Sequence, residues 1–323
     1  MRRREFIVFL GTVGAWPLAA LAQEPGRTYR LGFLYPVRLE PPEAVAALFD
    51  ELKQAGFVEG KNLTIEFRAF APHPERMSEY AAELVNARVD VVLAAGPAIR
   101  VVQEATKAIP ILGLSPDDLL GSGLVSSMAR PDGNTTGVGF LAVDLDGKRQ
   151  ELLIEAVPGL RQMAALADAN RGSAKLDALK EAAGARNIEL LIYRISSGQE
   201  IAAAIDSAKR SGAEALNVLA SAMFFGFRQL IFERALSLRL PAIYQHPEMA
   251  KEGGFAAYGP SWVHIVRDIY ARQLVQLLRG TKVADVPVEQ PFKFELVINL
   301  KTANAMGITV PAALLARADK VIE

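Results

Sequence analysis

The sequence predicts an α/β protein of two doubly wound, parallel-sheet lobes joined by a multi-strand hinge. Three observations lead there. Short β-branched or apolar runs alternate with helix-period segments along nearly the whole chain, the rhythm of parallel strands linked by right-handed crossovers. The rhythm pauses after a Pro-Asp-Gly-Asn turn at 131–134 and restarts at 162. The count reaches ten or more strands, which is unusual for a single sheet, so two lobes are expected.

Residues 29–35 read as the first strand. A helix follows over 41–55, opened by Pro41, Pro42 and Glu43, with Ala44, Ala47, Leu48 and Leu52 on one face and Gly56 as the stop. Residues 63–67 are a second strand and 74–87 a second helix. The third strand, 89–95, is apolar without alternation, as a strand covered on both faces requires. A helix over 97–108 and a strand over 111–114 continue the pattern. In the second half, strands are predicted at 162–167, 189–194, 215–219 and 241–244, and helices at 174–186, 199–211 and 225–238. Gly253, Gly254, Tyr258, Gly259 and Pro260 mark a second crossing between lobes, before a long helix over 261–278. A strand-like stretch at 293–298 and short helices near 302–306 and 311–317 close the chain. The expected division is 28–139 with 259–280 in the first lobe, and 140–258 with 281–323 in the second.

Residues 1–22 read as an export signal peptide. Arg2, Arg3 and Arg4 are followed by Glu5-Phe6-Ile7 in a twin-arginine pattern, then an apolar run to Leu18 and small residues ending at Ala22. The run is well short of the ~20 apolar residues that span a bilayer. Cleavage near Ala22 is expected, giving a periplasmic protein that begins at Gln23. Losing the leader lowers Lys+Arg from 36 to 33 and Asp+Glu from 36 to 35, a net charge near −2. That balance is no footprint for nucleic acid or an anionic membrane. With no cysteine, the fold has no disulfide, thiolate metal site or cysteine nucleophile, and depends on packing.

The chain resembles the periplasmic ABC-transporter substrate-binding proteins related to the tryptophan-binding TrpX type. The resemblance is carried by the Arg-Arg-Arg-Glu-Phe-Ile leader, by 52–62 (LKQAGFVEGKN), by 130–138 (RPDGNTTGV) and by Leu240-Pro241-Ala242-Ile243-Tyr244. It continues in Gly253-Gly254-Phe255, Tyr258-Gly259, 287–291 (PVEQP), 298–303 (INLKTA) and the ending 317–323 (RADKVIE). It implies a type I periplasmic-binding fold, capture of a small solute between the lobes by hinge closure, and an inner-membrane ABC permease as partner. It implies no cofactor, and a monomer is expected. Two motifs depart from the family: Asp168-Ala169-Asn170-Arg171-Gly172-Ser173 stands where an Asn-Pro-x-Asn turn is common, and Leu114-Ser115-Pro116-Asp117-Asp118 where Gly-Asp-Pro is.

In parallel α/β lobes a ligand sits beyond the carboxyl ends of the strands, so facing lobes make that region a cleft. The candidate ligand-binding residues there are Tyr35, Gly96, Pro97, Ser115, Asp117, Asn170, Ser221, Phe224, Tyr244 and Tyr258, with Pro36, Arg38, Ala95, Asp168, Ser173, Met223 and His246 nearby. Gly96 allows close backbone approach. Ser115 and Ser221 offer hydroxyls, Asp117 a carboxylate for an ammonium group, and the aromatics flat apolar walls. Each has an ordinary alternative, since Ser and Asp after strands cap helices with or without a ligand. The mixture of rings and hydroxyls favours an aromatic or branched amino acid or carboxylate.

Catalytic patterns are missing from the sequence. His73, His246 and His264 fall on separate elements without metal-ligand spacing. Gly121-Ser122-Gly123 and Gly137-Val138-Gly139 lack the dinucleotide fingerprint, and neither a phosphate loop nor a nucleophile elbow occurs. Three readings stay open: a transporter's solute-binding component, an exported sensory module, and an exported α/β enzyme. Neighbouring permease and ATPase genes favour the first, a neighbouring histidine kinase the second, and catalytic turnover the third.

Overall fold

The computed structural model describes residues 26–37 and 42–323, so the leader at 1–22 and Arg38 lie outside the described residues. Five strands form a wholly parallel sheet in the order β2-β1-β3-β4-β5: β1 (Tyr29–Tyr35), β2 (Leu63–Ala69), β3 (Val91–Ala95), β4 (Ile111–Ser115) and β5 (Thr135–Gly139). A second sheet holds β6 (Gln162–Asp168), β7 (Glu189–Ile195), β8 (Ala215–Val218), β9 (Ala242–Tyr244), β10 (Ala256–Gly259), β11 (Glu295–Asn299) and β12 (Lys320–Ile322). Its order is β12-β11-β10-β9-β8-β6-β7.

Each sheet is sandwiched between helices, and the alternation of side chains along a strand divides the core. In β3, Val91, Leu93 and Ala95 join the cluster that includes the helix Pro42–Gln54 and the long helix after Trp262. Val92 and Ala94 face the opposite layer, built on the helices Met77–Asn86 and Ala98–Ala105. Both faces are dry, which is why this strand carries no polar residue. The edge strand β2 is only partly covered and reads Leu-Thr-Ile-Glu-Phe-Arg-Ala, with polar residues at alternate positions.

The predicted helix over 225–238 is two helices, Ala222–Gly226 and Arg228–Ser237. The long helix runs from Trp262 to Leu278 but includes a π-helical stretch, Ile265–Tyr270. Two strands depart from the all-parallel expectation: β11 pairs antiparallel with β10, and β12, parallel to β11, runs with it. The chain returns from the first lobe directly into β11, entering from the carboxyl ends of the neighbouring strands rather than through a crossover helix, so the strand runs the other way.

The chain passes between the lobes three times, near 140–145, at 260–261 and between Val288 and Glu295. The sequence places all of 281–323 with the second lobe, but Val283 and Val286 pack in the first core. Glu289 N also bonds Gly137 O at 3.0 Å. Two features hold the crossings. The Arg149 side chain, 0% exposed, donates to Ala142 O on the first crossing and from Nη1 to Tyr258 O (3.0 Å) before the second. Its charge meets Asp146 at 2.5 Å, and Asp146 also meets Arg171 Nη1 at 2.7 Å and accepts from Ala220 N at 3.0 Å. These further contacts offset the cost of burying the pair, and Arg149 Nε alone of the guanidinium nitrogens is left without a hydrogen bond. At Gly259, a Cβ would stand 2.0 Å from Gln245 O, so this close pass of two chain segments requires glycine.

Candidate ligand site

A cleft lies between the lobes, about 520 Å³ of empty space when the open solvent at its mouth is counted. Every wall residue sits at or just beyond the carboxyl end of a strand. The first lobe contributes Tyr35, Pro36 and Val37 after β1, Ala95 and Gly96 after β3, Leu114 and Pro116 at β4, and Phe140 after β5. The second contributes Ala222 and Phe225 after β8 and Gln245 and His246 after β9, and Trp262 follows the second crossing. The lobes are in contact around it: a Cβ on Gly96 would lie 3.6 Å from Ala222, and one on Gly226 3.2 Å from Val37. Gly96 has φ +57, so it serves the turn as well as the close approach.

Four rings form one wall. His246 lies 5.3 Å from Phe140, 5.6 Å from Phe225 and 5.4 Å from Trp262 between centroids, and Trp262 lies 5.9 Å from Phe140 and 5.8 Å from Phe225. These are tilted and edge-to-face arrangements, which the ring quadrupoles favour. Glu248 fixes the wall from behind. It is buried, accepts from Ser261 Oγ (2.6 Å) and from Trp262 N (3.1 Å), and so holds the first turn of the Trp262 helix with a carboxylate.

His246 is neutral and has a defined tautomer. Its Nδ1 is 3.1 Å from Pro260 O, and a carbonyl only accepts, so Nδ1 carries the proton. Burial pushes the imidazole down to about 4, with Glu248 pulling the other way. Gln245 is oriented by the same logic: Nε2 donates to Ser221 O (3.2 Å), which leaves Oε1 buried without a partner.

Of the sequence candidates, Tyr35 and Gly96 line the cavity, as do Pro36, Ala95 and His246. Tyr35 offers ring surface only, because its hydroxyl meets Tyr270 Oη at 2.8 Å in the first core. Tyr270 donates to Leu112 O (2.9 Å), so the Tyr35 hydroxyl is the donor of the shared bond. The other candidates stand elsewhere. Pro97 is exposed, preceding the helix Ala98–Ala105. Ser115 Oγ accepts from Asp117 N at 3.1 Å, a local turn bond at the end of β4. Asp117 is half-buried, its pKa raised by burial against the opposing pull of Arg171 and Lys175. Asn170 is exposed, with its N–H on Asp168 Oδ1. Ser221 donates to Asp168 Oδ2 (3.0 Å) and caps the helix Ala222–Gly226 by accepting from Met223 N.

Three aromatic expectations need correction in this structure. Tyr244 is 1% exposed and packs edge-on against Phe232 at 4.9 Å. Although it ends β9, its side chain still stands perpendicular to the sheet and enters the helix layer, where burial raises its pKa. The cleft is reached one residue later, at Gln245 and His246. Phe224 is likewise core, and its neighbour Phe225 is the ring that reaches the cavity. Tyr258 packs in the second core against Phe294, 6.4 Å away, and its backbone carbonyl is the part that serves the hinge.

The wall residues that sequence reasoning missed are Val37, Leu114, Pro116, Phe140, Ala222, Phe225, Gln245 and Trp262. Most of them share a position shortly after the carboxyl end of a strand, while Leu114 lies within β4, next to its last residue, and Ala222 and Phe225 lie on the short helix that follows β8. Among the described residues no group of three or more His, Asp or Glu could hold a metal ion, and no helix is long and apolar enough to cross a membrane.

Comparison with known proteins agrees with this architecture. A tyrosine-binding protein of Clostridioides difficile (strain R20291) is 25% identical over 262 residues, 80% of this chain and 74% of that protein. The structure of an ABC domain from Streptococcus pneumonia in complex with L-Trp aligns with a TM-score of 0.76 at 22% identity, covering 91% of this chain and all of that one. The ligand-free, open structure of a substrate-binding protein with adhesive properties from Clostridium difficile aligns with a TM-score of 0.58 at 22% identity, over 91% of this chain and 99% of that one. The family profile described as ABC transporter substrate binding protein matches residues 42–322, nearly all of the two-lobed body, and this chain belongs to that family.

Proposed function

We propose that the protein is the extracytoplasmic solute-binding component of an ABC uptake transporter, delivering a small ring-bearing solute to a membrane permease. The observation that carries this reading is the apolar, ring-walled cavity between two lobes at the carboxyl ends of both sheets. That is where the fold class places ligands. The leader at 1–22 supports export by a twin-arginine route with cleavage near Ala22. The expectation of an aromatic solute is supported by the four-ring wall and by the tyrosine and L-Trp named for two relatives. The action is capture without chemistry, by a monomer that needs no cofactor.

Hinge closure is the mechanism. At equal identity the fold aligns more closely with the L-Trp-bound relative (TM-score 0.76) than with the ligand-free, open one (0.58), which supports reading this arrangement as closed. In that reading Gly96 against Ala222 and Val37 against Gly226 are contacts made on closure. Small-angle scattering of the processed protein tests it. A saturating ligand, found by thermal-shift screening of amino acids, aromatic acids, purines and sugars, should shrink the radius of gyration. A ligand at a hundredfold over Kd should add about 2.7 kcal/mol of apparent stability. An unchanged radius at saturation would remove the closure step, and a panel without a single stabilising compound would remove the solute-binding reading.

A further inference from the structure

The solute's polar signature is written in the atoms of the wall that lack partners. Gln245 is 4% exposed and lines the cavity, and its Oε1 makes no hydrogen bond with the protein. The amide cannot be turned to relieve this, because Nε2 is committed to the Ser221 carbonyl at 3.2 Å. His246 is 1% exposed, and with its Nδ1 proton on Pro260 O the bare nitrogen is Nε2. Both groups are therefore acceptors. A buried acceptor without a donor costs free energy, so a ligand that brings N–H or O–H groups gains what the empty wall forgoes.

The same wall is poor ground for a carboxylate. None of the described lining residues has an ionised side chain, His246 being neutral. Three nearby backbone donors are already taken: Gly96 N by Leu114 O (2.9 Å), Ile99 N by Gly96 O (3.2 Å) and Phe225 N by Ser221 O (3.0 Å). Pro97 has none, and Trp262 brings one neutral donor, its indole N–H. A carboxylate placed against Gln245 and His246 would turn lone pairs toward lone pairs in an apolar cavity.

We infer that the cavity selects an uncharged ring compound that presents an N–H or O–H donor to Gln245 Oε1 and His246 Nε2, and that it disfavours a carboxylate there. The inference rests on the solute-binding reading and narrows it. The ring resembles what the relatives' ligands carry, and the amino-acid headgroup is what this wall does not accommodate.

Calorimetry on the processed protein with four probes tests this: indole, N-methylindole, L-tryptophan and 4-methylphenol. Indole or 4-methylphenol should bind. N-methylindole, which keeps the ring and loses the donor, should bind at least tenfold more weakly than indole, and L-tryptophan no more tightly than indole. His246→Asn retains a donor for Pro260 O and removes the Nε2 acceptor; Gln245→Leu removes Oε1. In either variant that keeps the wild-type melting temperature, the indole-to-N-methylindole ratio should fall toward one. Tighter binding of L-tryptophan than of indole overturns the inference, as does equal binding of the methylated ring. Failure of all four probes also overturns it. If a sugar or amino acid from the wider screen then binds, the solute-binding reading stands without this narrowing, and if nothing binds both fall.

Discussion

Acidification should destabilise this fold by about 3 kcal/mol through His246 alone, on the scale of about 1.36 kcal/mol per unit of pKa shift. Burial holds the imidazole down to about 4 from its usual 6.5, helped by Arg149 and Arg228 and opposed by Glu248 and the Pro260 carbonyl. Between those two values the unfolded chain takes up a proton that the native state refuses, so native stability rises with pH across the window. The contribution is complete above about pH 6.5, declines as the pH falls, and is gone below about pH 4. Urea unfolding followed by tryptophan emission measures it cleanly in protein prepared to begin at Gln23, because the sequence holds two tryptophans, Trp16 and Trp262, and only Trp262 lies beyond that point. Carboxylates held low by their partners, such as Glu79, Glu151 and Asp206, also lose their advantage in acid. They do so equally in wild type and in His246→Asn, so the difference between the two proteins isolates the histidine. Wild type should lose about 3 kcal/mol more than the variant between about pH 6.5 and about pH 4. Parallel stability curves would show that His246 titrates normally, and the neutral-acceptor chemistry of the wall would fall with that result.

Adjacent phenylalanines should behave differently. Phe224→Ala should cost about 3–5 kcal/mol in chemical unfolding, as for a fully buried ring. Phe225→Ala, half-buried on the cavity wall, should cost about 1–2 kcal/mol while shifting Trp262 emission. Arg149→Met leaves Asp146 short of a partner and two hinge carbonyls unpaired, and should lower unfolding free energy by about 3–5 kcal/mol. Gly259→Ala puts a Cβ against Gln245 O and should lower stability by roughly 1–3 kcal/mol, with a change in amide exchange at the second crossing. Tyr244→Ala should reduce stability by about 3–5 kcal/mol like any core ring, and probe affinity in the folded fraction should stay unchanged.

Local pattern was enough to read most of the fold. The period of apolar residues marks β1 as 29–35 in sequence and structure alike, and the unbroken Val-Val-Leu-Ala-Ala run announces a strand covered on both faces. Those signals are short-range: a strand's burial is imposed on every one of its residues, so its composition records it. The two-lobed division was legible for a related reason, since parallel strands need crossover helices and the beat of the two repeats along the chain. Helix Asp146–Ala156 escaped because its buried side includes Asp146, Arg149 and Gln150, polar groups that make sense only once Ala220, Tyr258 and Leu179 are placed around them.

The sequence by itself pointed to the segments after the strands, and those at the ends of β1, β3, β4, β8 and β9 do line the cavity. The loop after β6 with Asn170 does not, and Phe140 after β5 was not among the candidates. Which residue in each loop faces it was decided by tertiary structure. Tyr244 lies one residue short of the wall because a strand side chain stands across the sheet while the residue after the strand is free to turn into the cleft. Phe224 and Phe225 instead share one helix, whose turn of about 100° per residue sends the first into the core and the second to the wall. The tail shows the same dependence on distance. Whether 283–288 belongs to one lobe or the other rests on hydrogen bonds to Gly137 and Met128, partners about 150 residues away that no local window contains. The charge state of the wall is also a tertiary fact. A histidine carries the same letter whether solvated or sealed between Phe140, Phe225 and Trp262, and only the seal makes His246 an acceptor at neutral pH.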